Sequence, residues 1–176
     1  LVNLLLEPDD MHDLVDAIAE YRFQYAKLLV DNLKPDVILS HDDWGSKTSL
    51  FMKPDVWRDY FKDHYNRIYG YMKDHGVIVM HHADSFCEPI VEDMVEIGID
   101  IWQGALPEND IPKIQKLLDG RMTLMGGLDA SVVDRVDSTE EEIRADVRRA
   151  CETYAPGGHF IPCITYGLKG TIFPHV

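Results

Sequence analysis

Val77-Ile78-Val79-Met80, followed without a break by His81-His82-Ala83-Asp84-Ser85-Phe86-Cys87, is the stretch that decides the fold. An apolar run of that length reads as a strand buried on both faces, the signature of a parallel sheet. The imidazoles, carboxylate and thiol behind it mark the end where the strand emerges, and α/β enzymes place their chemistry at such ends.

Working outward, the same alternation repeats on both sides. Lys53-Pro54-Asp55 starts a helix that runs to about His75 and is stopped by Gly76. A helix from about Glu88 to Ile97, with Pro89 in its first turn, follows the strand and ends at Gly98. Ile99-Asp100-Ile101-Trp102 is the next strand, Ile111 to Leu118 the next helix, and Met122-Thr123-Leu124-Met125 a further strand ending in Gly126-Gly127-Leu128-Asp129. Toward the N-terminus, Pro8-Asp9-Asp10 opens a helix with apolar residues Leu14, Ile18, Tyr21, Tyr25, Leu28 and Leu29 at steps of three and four, ending near Leu33 ahead of Pro35. Val37-Ile38-Leu39 is then a strand leading into Ser40-His41-Asp42-Asp43-Trp44-Gly45. Toward the C-terminus, Ser138-Thr139-Glu140-Glu141-Glu142 caps a helix to about Tyr154, and Gly157-Gly158 hands over to His159-Phe160-Ile161-Pro162-Cys163.

Strands separated by helices of this length form parallel βαβ units with right-handed crossovers, so their C-terminal loops converge on one rim. That rim collects Asp42, Asp43, His82, Asp84, Gln103, Asp129 and the segment from Cys163 to Tyr166. No strand leads into Gly-x-Gly-x-x-Gly, and there is no Gly-Lys-Thr/Ser loop, so dinucleotide and P-loop chemistry are not supported. A barrel is favoured over a doubly wound sheet.

The 176 residues are 45% hydrophobic and 27% charged, the composition of one globular domain with a real core. The apolar segments are short and broken by charge, which argues against a membrane span or a signal peptide and makes a cytoplasmic setting the expectation. Three cysteines at irregular spacing read as reduced thiols for packing or for a metal. A formal charge of -14 without a Lys/Arg cluster repels a phosphate backbone, so nucleic acid is not an expected partner.

Four segments together resemble a known family. HDDWGSKTSLFMKPDVWRDYFKDHY (41–65), HHADSFCEPIVEDMVEIGIDIWQ (81–103), GGLDAS (126–131) and YAPGGHFIPC (154–163) look, in this order, like successive blocks of the uroporphyrinogen decarboxylase superfamily, most similar to its corrinoid-dependent methyltransferase branch. The resemblance implies a (β/α)8 TIM barrel of about twice this length. Residues 1–176 would form a single incomplete domain, five βα units corresponding to strands four to eight. Without an initiator Met at Leu1, and with strands one to three unmatched, an excised or truncated chain is the expectation. Five units cannot close, and their open edges invite dimerisation with a second copy.

The resemblance implies two chemistries. In the decarboxylases a serine usually stands at the position of Asp43 and a histidine near Thr165; neither is present, and an acidic rim opposes a polycarboxylate such as uroporphyrinogen. In the methyltransferase branch, zinc is held by His-x-Cys after the fifth strand and a Cys after the eighth, and lowers the pKa of a thiol that accepts methyl. This chain has His82-x-Asp84 there, with Cys163 about two residues before the family position of the later thiol. The implied metal set is therefore His82, Asp84 and Cys163, a harder site that also suits activation of a methyl ether oxygen and transfer to a corrinoid protein. Asp43 and His82 are the expected catalytic pair, with Asp42, Asp43, Trp44, Gln103, Asp129 and Tyr166 contacting a small methylated substrate. The alternatives are decarboxylation of a uroporphyrinogen-like or smaller aromatic acid, and an inactive fragment or binding subunit.

Several residues have a plainer reading. Of His81 and His82 only one can face the rim, and the family register selects His82. Cys87 suits packing at a helix start. Asp42, Asp43 and Asp129 suit capping as well as binding, and Trp44 and Trp102 suit burial as well as a pocket wall.

Overall fold

Proline in the first turn or a capping side chain opens several of the helices. The computed structural model describes residues 1–166 and 170–176. A short helix α1 (Asn3–Leu6) precedes α2 (Pro8–Leu33), which has proline in its first turn, Asp9 and Asp10 at its positive end, and Lys34 in a left-handed conformation closing it. Strand β1 (Val37–His41) follows. Then come α3 (Pro54–Trp57), a π-helical turn (Arg58–Lys62) and α4 (Asp63–Asp74), one continuous rod where a single helix is predicted.

Strand β2 (Ile78–His82) leads through a 3-10 turn (Glu88–Ile90) to α5 (Val91–Glu96), and β3 (Ile101–Ala105) to α6 (Ile111–Leu118), which Asp110 caps by accepting from Lys113 N at 3.1 Å. After β4 (Thr123–Gly127) come a one-turn helix α7 (Ala130–Val133) and α8 (Glu140–Tyr154), the latter held by a capping box between Thr139 and Glu142. Strand β5 (Phe160–Cys163) is the last.

Among the described residues the strands form one parallel sheet in the order β1-β2-β3-β4-β5. A doubly wound sheet reverses its order at a switch point. Here each strand lies beside its predecessor, so these are consecutive staves of a (β/α)8 barrel. No helix among the described residues is long and apolar enough to cross a membrane.

Two expectations change. Strand β2 extends two residues past Met80 and takes in both histidines, because parallel pairing is made by backbone groups whatever the side chains: Ser40 lies opposite His81, and His41 opposite His82. Nor is this strand buried on both faces. Val79, His81, Trp102 and Leu124 point into a core shared with Ile68, Met72, Met94 and Ile114, while Ile78 on the opposite, barrel-lumen face keeps 43% of its surface exposed. On the same face of β1, Val37 and Leu39 are 42% and 58% exposed.

Helix α2 repeats this asymmetry. It buries Ala19, Ala26 and Val30, whereas Leu14, Ile18, Tyr21, Tyr25 and Leu28 form a ridge facing outward. An apolar ridge beside a strand edge that has no partner among the described residues favours association. The chain is expected to sediment as a concentration-dependent dimer or larger species, and Leu14→Lys with Leu28→Lys to shift it toward monomer. A monodisperse monomer by light scattering would contradict this expectation.

Candidate active site

The rim is built by strand alternation. Residues His41, His82 and Gln103 lie side by side on the lumen face of β1, β2 and β3, while Ser40, His81 and Trp102 lie side by side on the helix face. His81 is fully buried: its Nε2 lies 3.1 Å from the Asp42 carbonyl and its Nδ1 lies 2.7 Å from Tyr69 Oη. The carbonyl can only accept, so the proton sits on Nε2 and Nδ1 accepts from Tyr69. Burial pushes the imidazole pKa down to about 4.

His82 belongs to a polar chain on the other face. The amide nitrogen of Gln103 donates to the Thr165 carbonyl at 3.1 Å and lies 3.9 Å from Cys163 Sγ. With its NH2 so committed, Gln103 turns Oε1 to His82 Nδ1 and accepts a hydrogen bond from it. Nδ1 of His82 therefore carries the proton, and Nε2 is the nitrogen with a free lone pair. The same Gln103 amide stands between His82 and Cys163, whose thiol is raised by burial against a weaker lowering by Gln103.

The adjacent acids Asp42 and Asp43 part company, because neighbouring positions address opposite faces. Asp42 accepts from Tyr65 Oη at 2.7 Å and pairs with Arg22 of α2, which pins that helix to the end of β1. Asp43 accepts from the Asp84 backbone N–H at 3.1 Å through Oδ1, with Oδ2 3.4 Å from His41 Nε2. The His41 and His82 rings meet edge to face, centroids 4.4 Å apart. Among the described residues one group gathers three ligand-type side chains closely, His41, Asp43 and His82, with one ligand atom from each within 4.8 Å of the others. His82, Asp84 and Cys163 are not gathered in this way.

His41 was not a predicted site residue. The signal was present, since positions 41 and 43 share a face and 42 does not.

Asp84 and Asp129 line a cleft of about 370 Å³ with Lys47, Glu108, Thr165 and Tyr166. Lys47 Nζ pairs with Glu108 at 2.7 Å on one wall. Burial, then the nearby Asp43 charge, raises the Asp84 carboxyl pKa. Asp129 differs: burial works to raise it, but hydrogen bonds from Ser131 prevail and lower it, so it caps α7 while touching the cleft. Tyr166 donates to Asp134 at 2.8 Å. Trp44 is buried against His81, Trp57 and Tyr65 and takes no part in the cleft.

Gly104 brings the two halves of the rim together. It adopts φ +108° where β3 shifts register, and a Cβ there would meet the Ala83 carbonyl oxygen at 2.5 Å. Gly104→Ala is expected to cost about 2 kcal/mol, since it combines a conformation L-residues avoid with a backbone clash. Urea unfolding measures it; a loss below about 0.5 kcal/mol would mean the loop yields freely.

Residues 1–169 match the family model described as uroporphyrinogen decarboxylase (URO-D). No curated protein matches the chain. Among solved structures, a methyltransferase from Methanosarcina mazei is similar with a TM-score of 0.73 at 20% identity, over 97% of this chain and 48% of that one. An uncharacterized protein is similar with a TM-score of 0.53 at 14% identity, over 85% of this chain and 38% of that one. At these identities the likeness is one of fold, and the chain spans about half the length of the methyltransferase.

Proposed function

The chain belongs to the uroporphyrinogen decarboxylase family, and from that premise we propose that it takes part in methyl transfer from a small methylated substrate to a corrinoid protein or thiol. The observation that carries this reading is the acidic lining of the rim cleft, where Glu108 and Asp129 stand around a single Lys47 already paired to Glu108, which leaves a net negative charge even with Asp84 protonated. A polycarboxylate entering that cleft meets like charge, whereas a neutral methyl ether or a methylated amine does not.

A zinc-activated thiol at His82, Asp84 and Cys163 does not fit the geometry, because these side chains are not gathered and the Gln103 amide lies between two of them. The chain's own residues offer a proton instead. The raised Asp84 carboxyl can protonate the oxygen or nitrogen that leaves as its bond to methyl breaks, while the methyl passes to the acceptor's nucleophile. Lys47 and Asp129 would orient the body of the substrate.

The test supplies methyl ethers and methylamines with a reduced corrinoid as acceptor and follows the corrinoid spectrum. Methylation is expected, and Asp84→Asn should slow it about 100-fold, the usual weight of a positioned proton donor. As a donor with a raised pKa, Asp84 should also make the wild-type rate fall as pH rises through that pKa. Release of CO2 from an aromatic acid or a porphyrinogen, with no corrinoid methylation, would replace this reading by decarboxylation.

A further inference from the structure

We propose that His41, Asp43 and His82 form a binding site for a divalent transition metal, a set different from the His82, Asp84 and Cys163 ligands that the family resemblance implies. It stands apart from the reaction proposed above, since occupancy is read without turnover. Two of the side chains come from adjacent parallel strands in direct register, His41 opposite His82, and Asp43 lies two residues beyond His41 in the loop after β1. Their ligand atoms already lie within 4.8 Å of one another. Bonds of about 2.0–2.1 Å in a tetrahedral centre put ligands roughly 3.3 Å apart, and His41 Nε2 and Asp43 Oδ2 stand at 3.4 Å. His82 lies within 4.8 Å of this pair and completes the set by drawing closer to it.

Each of two ligands is also held by a partner that leaves its metal-facing atom free. Gln103 Oε1 fixes the proton on His82 Nδ1, leaving the Nε2 lone pair, and the orientation of Gln103 is itself fixed by the Thr165 carbonyl. The Asp84 backbone N–H occupies Asp43 Oδ1, leaving Oδ2 beside His41. Metal-binding imidazoles and carboxylates are characteristically oriented in this manner. Two imidazoles and one carboxylate suit zinc or ferrous iron above magnesium or calcium. Three protein ligands on a partly exposed rim leave a coordination position for a substrate heteroatom.

The experiment titrates untagged, metal-free protein with Zn2+ by calorimetry and with Co2+ by its visible spectrum. One metal per chain is expected, with a cobalt spectrum lacking a thiolate charge-transfer band. His41→Ala and Asp43→Asn should each weaken binding by 100-fold or more, and the positioning change Gln103→Leu by about 10–100-fold, with circular dichroism unchanged. Cys163→Ala and Asp84→Asn should bind as the wild type does. Absence of binding, wild-type affinity in His41→Ala, or a thiolate band abolished by Cys163→Ala would each overturn the assignment.

Discussion

Acidification from pH 7 to about pH 4 is expected to remove about 3 kcal/mol of stability through His81 alone. In the folded chain this imidazole has a pKa of about 4, against 6.5 when exposed. Above pH 6.5 both states are neutral and the full contribution is present. As pH falls below that value the unfolded chain takes up a proton that the native chain refuses, and stability drops until the folded pKa is reached. Asp93 works in a lower window. Burial alone would raise its pKa, but Arg58 and Lys62 hold it below its ordinary value, so its contribution is lost only below about pH 3.8. Urea unfolding across this range, with an NMR titration of the His81 ring, separates the two. A ring titrating near pH 6.5 would show that His81 is hydrated in solution.

Trp44→Ala is expected to cost about 4 kcal/mol, within the range for removing a buried aromatic. The indole stacks on His81 at 4.1 Å, meets Trp57 and Tyr65 edge to face at 5.0 and 5.3 Å, and donates to Tyr65 Oη at 3.2 Å. Truncation leaves a cavity against the buried imidazole, so water entering it should move the His81 pKa up toward 6.5 and flatten the acid loss described above. Double measurement of unfolding free energy and His81 titration checks both effects. If Trp44 instead walled a substrate pocket, the change would appear in KM while stability barely moved.

Why was the fold so much more legible than the site? The Gly, Pro and acidic boundary residues around Pro8, Pro54, Gly76, Gly98 and Thr139 act locally, and local signals survive whatever the neighbours do. Strand ends are different, since Ile78–His82 and Thr123–Gly127 lengthened because a parallel neighbour was there to pair with. At the rim, residue type was readable and direction was not. Asp42 and Asp43 are identical side chains side by side, yet one secures α2 through Arg22 and the other joins two histidines. Alternation puts positions 41 and 43 on one face, but nothing in that local context says that His82 lies opposite His41. The outward ridge on α2 carries the helical period faithfully, but a period does not say which surface the ridge will meet.

The uncovered lumen face sets the strength of the electrostatics above it. The side chains of His41 and Asp43 keep 62% and 37% of their surface exposed, and two charges about 4 Å apart in water attract by only about 1 kcal/mol, against about 4 kcal/mol in the medium typical of a protein surface. A polypeptide that sealed this face would multiply every charge interaction at the rim several-fold without displacing a single atom. Closure would thus act as a gain control, with one fixed arrangement of imidazoles and carboxylates running at low or high amplification according to what covers the floor below.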